Sequence, residues 1–338
     1  MINHLFRLVY PKCFDIAFQN IEFRSKILIR PKFMSICHSD QRYYRGLRPV
    51  EILKKKLPMS LIHECCGDVV FDDTNVLKPG QHVIMIPNIL ASNPLSEIFE
   101  NYQTGSGFLS SGYDGFMQEL VALKPDRVIP FEFEEEHVAC ICELISVAVH
   151  AIIRFSGSAH KYRKKIGIWG DGSVAYLLAL TFKNMIPESE IIIVGKHYEK
   201  LAMFSFAENI YLINEIPNNL EIDHAFECVG GTGSAYAIED MIRFIRPQGT
   251  IVLLGVSEEK PAINTRDVLE KGLTIIGASR SGSRDFIQAV KLLEKKNFRE
   301  RVANIIFVDK PVKSIKDIHK VFEKDLSTPF KTAFKWEL

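Results

Sequence analysis

The sequence predicts an α/β protein in two parts, a compact β-rich domain and a parallel-sheet domain built from β-α-β units. Three observations lead there. At 338 residues, the chain is long for a single hydrophobic core, so two domains are expected. Short apolar runs punctuated by Gly and Pro fill the chain up to about Glu134. Beyond it, Lys164 to Met185 reads as strand, glycine turn and helix.

The composition narrows the function. A hydrophobic share of 47%, a charged share of 25% and a net charge of +1 are ordinary for a globular protein. Near-neutrality argues against a nucleic-acid partner, which would require a basic face. Met1 to Arg7 lacks a signal-peptide core, and no apolar run approaches the ~20 residues of a membrane span. Seven cysteines, an odd number without a regular framework, fit a reducing compartment, so a cytoplasmic protein without membrane contact is expected.

In chain order, Leu8 to Val9, Ile16 to Phe18 and Ile27 to Ile29 form the first short apolar runs. The stretch Lys26 to Ile36 reads as a strand feeding a turn or short helix at Cys37-His38-Ser39-Asp40-Gln41-Arg42-Tyr43-Tyr44. Lys78-Pro79-Gly80 turns into a strand from Gln81 to Pro87. Ala91 to Gly112 is expected to be an irregular lobe, and Gly115 to Val121 to resume β structure. From Glu134 to Phe155 the apolar residues fall at helical spacing, and Glu134, Glu135 and Glu136 favour a helix start. The helix of the β-α-β unit should end before Pro187, with the next strand at Glu190 to Val194. Further strands are expected at His224 to Val229, Thr250 to Leu254 and Leu273 to Gly277, a helix at Gly233 to Ile245, and a terminal strand near Lys331 to Trp336.

Two constellations carry chemistry. In Gly170-x-Gly172-x-x-Ala175, the first glycine permits a tight turn and the second a close approach of backbone to a pyrophosphate. Ala175 permits close helix–strand packing, and Ser173 and Val174 open a helix whose N-terminus attracts phosphate. Such a crossover binds a dinucleotide. Cys228, Val229, Gly255 and Val256, at later strand ends, are expected to line the same cofactor. A carboxylate after the second strand would hold a ribose 2′-hydroxyl. The chain instead reads Gly195-Lys196-His197, without an acid, which favours NADPH over NADH. The second constellation joins Cys37, His63, Glu64 and Glu143: a thiolate, an imidazole and one or two carboxylates suit a catalytic zinc with one position left open. The sequence does not rank Glu64 against Glu143 as ligand. Cys65 and Cys66 read as packing residues.

This pattern resembles the medium-chain, zinc-dependent alcohol and polyol dehydrogenases over essentially the full length. Cys37-His38-Ser39-Asp40 is similar to that family's Cys-x-Ser/Thr-Asp motif. Leu61-Ile62-His63-Glu64 is similar to its Gly-His-Glu motif, with Ile62 in place of glycine. Glu143 to Ala151 is similar to the sorbitol dehydrogenase segment whose glutamate lies at the zinc. The family's second, structural zinc needs four cysteines in the lobe, and Ala91 to Gly112 has none. Within the family, Asp40 to Tyr44, Pro58 to Glu64, Ile168 to Gly172, Phe226 to Gly231 and Ser279 to Ser283 resemble the ribulose 5-phosphate reductases that supply ribitol 5-phosphate for CDP-ribitol.

The resemblance implies a GroES-like catalytic domain over 1–145, completed by 284–338, and a Rossmann NADP-binding domain over 146–283. It implies zinc on Cys37, His63 and a glutamate, with hydride from NADPH to a ketose phosphate. Ser39 would be a proton relay, Asp40 would orient His63, Glu64 would share the catalytic centre, and His38 would lie near the cofactor pyrophosphate. Arg42 and Arg280 are candidates for reading the substrate phosphate. Contact with cofactor phosphates or structural carboxylates is the other reading of both. Tyr43 could bond a sugar hydroxyl or simply pack. A homodimer joined through the Leu273 to Gly277 edge and a pathway cytidylyltransferase are the implied partners, in teichoic acid or capsule synthesis. Two rival readings are another oxidoreductase of this fold, either a second polyol dehydrogenase or a zinc-free quinone or enoyl reductase, and an inactive NADPH-binding regulatory protein.

Overall fold

The computed structural model describes residues 1–258 and 260–338. They form two units, 1–144 with 281–338, and 145–280.

The first unit begins with a hairpin, β1 (Ile2–Tyr10) and β2 (Cys13–Asn20), followed by β3 (Ile27–Ser35), α1 (His38–Tyr44), α2 (Val50–Lys56) and β4 (Met59–Ser60). The hairpin is longer than its apolar runs suggest, because nearly all of β2 faces solvent and so carries little hydrophobic alternation. Next come β5 (Glu64–Asp72), β6 (His82–Met85), β7 (Asn88–Ile89), β8 (Gly107–Phe108), β9 (Val121–Leu123) and β10 (Val128–Pro130). Gly115 to Met117 do not form the regular strand the sequence suggests. Their amides bond instead to the carbonyls of Ser60, Leu61 and Ile62, and the ladder begins only at Val121. The region between Ala91 and Gly112 is mostly irregular, as expected.

The expected single helix from Glu134 to Phe155 is two, α3 (Glu136–Ala139) and α4 (Cys142–Ser158). From Val138 to Ile145 every side chain is buried, so no exposed face registers the break. The two units divide within α4, between Leu144 and Ile145.

The second unit continues with β11 (Lys165–Trp169), α5 (Ser173–Met185), β12 (Glu190–Gly195), α6 (Tyr198–Leu201), β13 (Asn209–Leu212), β14 (His224–Glu227), α7 (Ser234–Phe244), β15 (Thr250–Leu253), α8 (Thr265–Glu270) and β16 (Thr274–Gly277). Among the described residues its strands make one parallel sheet in the order β13-β12-β11-β14-β15-β16. That is the doubly wound order, with the first strand of the unit in the middle and the reversal beside it. β13 escapes the sequence reading because its four residues carry no buried face. The core of this sheet includes Trp169, Ile192, Val194, Ala225, Ile238 and Met241.

The chain then returns to the first unit through α9 (Ser283–Leu293), α10 (Lys296–Ala303), β17 (Ile306–Val308), α11 (Ile315–Asp325) and β18 (Lys331–Lys335). There the sheet runs β10-β6-β5-β3-β18-β17, with β9 also on β3. β3 is therefore flanked by β5 and β18, opposing Ser35 to Glu64 and to Ala333. This register brings the start of β5 and the start of β18 to the loop that leaves β3.

Candidate active site

Cys37 is the first residue past β3 to turn, and it caps α1 in extended conformation. His63 and Glu64 stand at the entry to β5. One donor atom from each of Cys37, His63 and Glu64 lies within 4.8 Å of the others. The surroundings of the set suit a bound cation. His63 and Glu64 are both buried, at 6% and 0% exposure, and Glu64 Oε2 has no hydrogen-bond partner, which is costly in a dry site. His63 is desolvated, yet Asp40 and then Cys37 raise its pKa well above the ordinary value. A borderline-soft S/N/O set of this kind fits zinc.

Asp40 holds the arrangement. It is fully buried, and its Oδ1 accepts hydrogen bonds from Ile62 N at 3.1 Å and Ser110 Oγ at 2.6 Å. Its Oδ2 accepts from Cys37 N at 3.2 Å and lies 3.6 Å from His63 Nδ1. Burial alone would raise the pKa of Asp40, but His63, Ser110 and Ile62 together lower it. At 3.6 Å the contact with His63 is an ion-pair approach rather than a hydrogen bond, and Nδ1 has no hydrogen-bond partner; the buried carboxylate nonetheless stands beside the ring as an outer carboxylate does beside a ligating histidine.

Ile62 adopts φ +70°, the left-handed region that a β-branched residue rarely enters. Glycine, the residue at this place in the related motif, enters that region without cost, and in this conformation the Ile62 amide donates to Asp40. The side chain is wholly buried in the core of the first unit.

Glu143, the second residue of α4, lies outside the three-donor set but close to it. Burial, opposed by His63 and assisted by Glu64, raises its pKa to about 7. Ser39 Oγ accepts from Arg48 Nη2 at 2.8 Å. The Arg48 guanidinium also lies 4.8 Å from the centre of the Tyr43 ring. Tyr43 itself is 1% exposed and belongs to the core of the first unit. Burial first, then Arg48, lowers the Arg42 pKa, and burial with Arg42 lowers that of His38. Arg42 is on α1; Arg280 is the last residue of the second unit and has φ +57°. Cys65 and Cys66 are buried, and burial raises both thiols, in keeping with packing.

Sequence reasoning missed Lys331. This β18 residue buries its ammonium, donating to Glu64 Oε1 at 2.8 Å and to Ile36 O at 2.7 Å. Burial opposes the charge, but Glu64 and then Cys37 raise its pKa above the ordinary value. Arg48 and Ser110 were missed as well. All three lie far along the chain from the residues they serve or carry no motif of their own, so only the fold reveals them.

In the second unit, the glycine motif forms the crook between β11 and α5. Gly170 sits at φ +135°, where a Cβ would meet Cys228 O at 2.9 Å, while Gly172 would meet nothing within 4 Å. The first glycine is required by conformation, and the second leaves open space at the helix start. Ser173 and Val174 begin α5, and Ala175 is buried beneath it. At the neighbouring strand ends, the buried Glu227 accepts from Val229 N at 2.9 Å, Gly230 N at 2.7 Å and Gly255 N at 2.9 Å. It ties together the loops of Cys228, Val229, Gly255 and Val256, and was also missed.

The premise of the NADPH expectation, though not the expectation itself, is incomplete. An acid does stand at the end of β12, contributed by Asp171 from the glycine loop. Its Oδ2 accepts from Lys196 N at 2.8 Å and His197 N at 2.7 Å. The sequence gap at Gly195 conceals it, because the carboxylate comes from the adjacent strand's loop.

A doubly wound nucleotide sheet in one unit and a Cys–His–Glu metal set in the other define a zinc-dependent dehydrogenase. The comparisons agree. Residues 24–133 match the alcohol dehydrogenase GroES-like domain, and residues 208–295 the zinc-binding dehydrogenase model. A ribulose-5-phosphate reductase of Streptococcus pneumoniae is 50% identical over 100% of this chain and 98% of that protein. One from Bacillus spizizenii is 45% identical over 100% of both. Among solved structures, S. aureus TarJ in complex with NADPH superposes with a TM-score of 0.88 at 41% identity, covering 100% of each chain. The chain belongs to the zinc-binding dehydrogenase family, within the group of the ribulose-5-phosphate reductases.

Proposed function

We propose that the protein reduces D-ribulose 5-phosphate to D-ribitol 5-phosphate, consuming NADPH and one proton and releasing NADP⁺. The observation that carries this reading is full-length identity of 45–50% to four ribulose-5-phosphate reductases, joined to an intact Cys37–His63–Glu64 set. An inactive regulatory protein would have no need of that set, and a zinc-free reductase would have no use for it.

When bound, zinc draws electron density from the C2 ketone oxygen and NADPH supplies the hydride. Cys37 Sγ, His63 and Glu64 Oε2 would hold the metal, with Glu143 as the alternative carboxylate. Asp40 keeps His63 from rotating. Ser39 accepts its hydrogen bond from Arg48, so its own O–H remains the donor that can pass a proton to the reduced oxygen. Gly170, Gly172, Ser173 and Val174 would cradle the pyrophosphate together with His38, Lys196 and His197 would meet the 2′-phosphate, and Cys228, Val229, Gly255 and Val256 would border the nicotinamide half. Arg42 and Arg280 are proposed to read the substrate phosphate, a role guanidinium groups suit through bidentate contacts.

On this reading, residues 1–145 and 284–338 form the catalytic domain and 146–283 the NADP-binding domain. No helix among the described residues is long and apolar enough to cross a membrane. A cytoplasmic homodimer feeding a cytidylyltransferase, for CDP-ribitol in teichoic acid or capsule synthesis, is the proposed setting. An assay over phosphorylated and free ketoses tests the substrate. Ribulose 5-phosphate should be favoured over ribulose, with Arg42→Ala raising KM for the phosphate ester alone. Equal use of both sugars would point to another polyol dehydrogenase.

A further inference from the structure

The turn that ends β12 is held from outside by one carboxylate. Besides the two backbone amides, Asp171 Oδ2 lies 3.0 Å from His197 Nδ1, so three nitrogens of the Lys196–His197 turn converge on a single oxygen. Burial alone would raise the pKa of this carboxyl, but the bonds from His197 and Lys196 hold it below the ordinary range.

The glycine at position 195 is explained by the same side chain. A Cβ there would meet Asp171 Cβ at 2.7 Å, Leu201 Cδ2 at 2.8 Å and Asp171 Oδ2 at 3.1 Å. The first two are too close for real atoms, so the space of a side chain at 195 is already taken by Asp171. In a doubly wound sheet this is where a strand-end carboxylate would receive the ribose 2′-hydroxyl. Here a carboxylate occupies that space but is turned inward, onto the turn. Lys196 and His197 meanwhile remain exposed, on a backbone fixed at both of their amides.

We propose that Asp171 is the positioning residue for cofactor selectivity, fixing the Gly195–His197 turn so that Lys196 and His197 meet a ribose 2′-phosphate. It does not serve as the acceptor of a ribose hydroxyl. This inference rests on the NADPH reading above. It differs from simple absence of an acid, because an acid is present and its bonds to the turn give it the opposite effect. A charge-assisted bond is stronger than a neutral one, so neutralising Asp171 should loosen the turn without emptying the space it fills.

The test uses full-length, zinc-loaded protein and two probes that differ only in the group at issue, adenosine 2′,5′-bisphosphate and 5′-AMP, with binding measured by calorimetry. The wild type should favour the bisphosphate. Asp171→Ala should weaken the bisphosphate about tenfold, equivalent to ~1.4 kcal/mol, and leave 5′-AMP within about twofold. Asp171→Asn, which preserves shape, should fall between and guards against a folding failure in the alanine variant. The ratio of KM for NADPH to KM for NADH should move in the same direction. Tighter bisphosphate binding in either variant would mean that Asp171 repels the 2′-phosphate, and equal loss of both probes would make it merely structural; either result overturns the proposal. A wild type with no preference for the bisphosphate would instead fail the NADPH reading itself, and the inference with it.

Discussion

Replacing Lys331 with methionine removes a buried ammonium while keeping an unbranched side chain of similar reach. Its side chain is 5% exposed and that of Glu64 is 0% exposed, so solvent screening offers little relief. Breaking a buried pair by deleting one partner costs about 3–5 kcal/mol, because the remaining charge is left uncompensated. The Ile36 carbonyl would lose its 2.7 Å donor in the same change. In the zinc-free protein, the first unit, of about 200 residues, should therefore melt about 6–20 °C lower, at about 2–4 °C per kcal/mol. Zinc should restore much of this loss, since the metal gives Glu64 a replacement positive charge. The gain in melting temperature on adding zinc should accordingly be larger in Lys331→Met than in the wild type. Scanning calorimetry of chelated and zinc-reconstituted protein at one fixed pH measures both quantities. A chelated variant melting within about 2 °C of the chelated wild type, or an equal zinc-dependent gain, would refute the pairing of Lys331 with the metal site.

Zinc analysis should find one ion per chain, and Cys37→Ser should reduce it to near none. A second candidate cluster among the described residues, Asp68, His82 and Glu136, already holds the Lys32 ammonium at 3.3 Å and 2.6 Å from its two carboxylates, so a second zinc would contradict the site assignment. Ile62→Gly relieves about 1–3 kcal/mol of backbone strain but removes a fully buried side chain worth about 2–5 kcal/mol. Packing should win, and denaturant unfolding should show a net loss; a variant as stable as the wild type would refute this ranking. His224 is a neutral tautomer, its Nε2 donating to Tyr162 O and its Nδ1 accepting from Thr250 N. Burial and then His160 lower its pKa to about 4. Because this lies below the unfolded value of about 6.5, the unfolded chain takes up the proton first. Stability should therefore fall as the pH drops from about 6.5 to about 4, with no effect from this group above that window. Thermal melts of His224→Gln should show a shallower dependence there, and an unchanged slope would refute the assignment.

Much of the second unit was legible because its signals are local. Gly170 and Gly172 announce the crook, Pro187 follows the end of α5, and the strand from Glu190 is a continuous apolar run. The metal donors were legible as residue types, since a thiol, an imidazole and a carboxylate near strand ends are rare together. What holds those donors was not legible. Lys331 reaches Glu64 from 267 residues away, and Ser110 sits in a lobe without periodicity. The shape at Ile62 was hidden for another reason: the residue type argues against the backbone it adopts, and only packing of its side chain makes that backbone tolerable. The role of Asp171 was not legible because a turn can borrow a carboxylate from the neighbouring loop, which no inspection of Gly195–His197 alone reveals.

On the proposed reading, the Cys37–His63–Glu64 set serves reduction of a ketose phosphate by NADPH. The most direct measurement follows NADPH oxidation with D-ribulose 5-phosphate by purified protein before chelation, after chelation and after zinc is restored, with the product identified by NMR. One ribitol 5-phosphate should form per NADPH oxidised, with turnover lost on chelation and recovered with zinc. Undiminished turnover in the chelated, zinc-free protein, or no ribitol 5-phosphate from the zinc-loaded one, would contradict it.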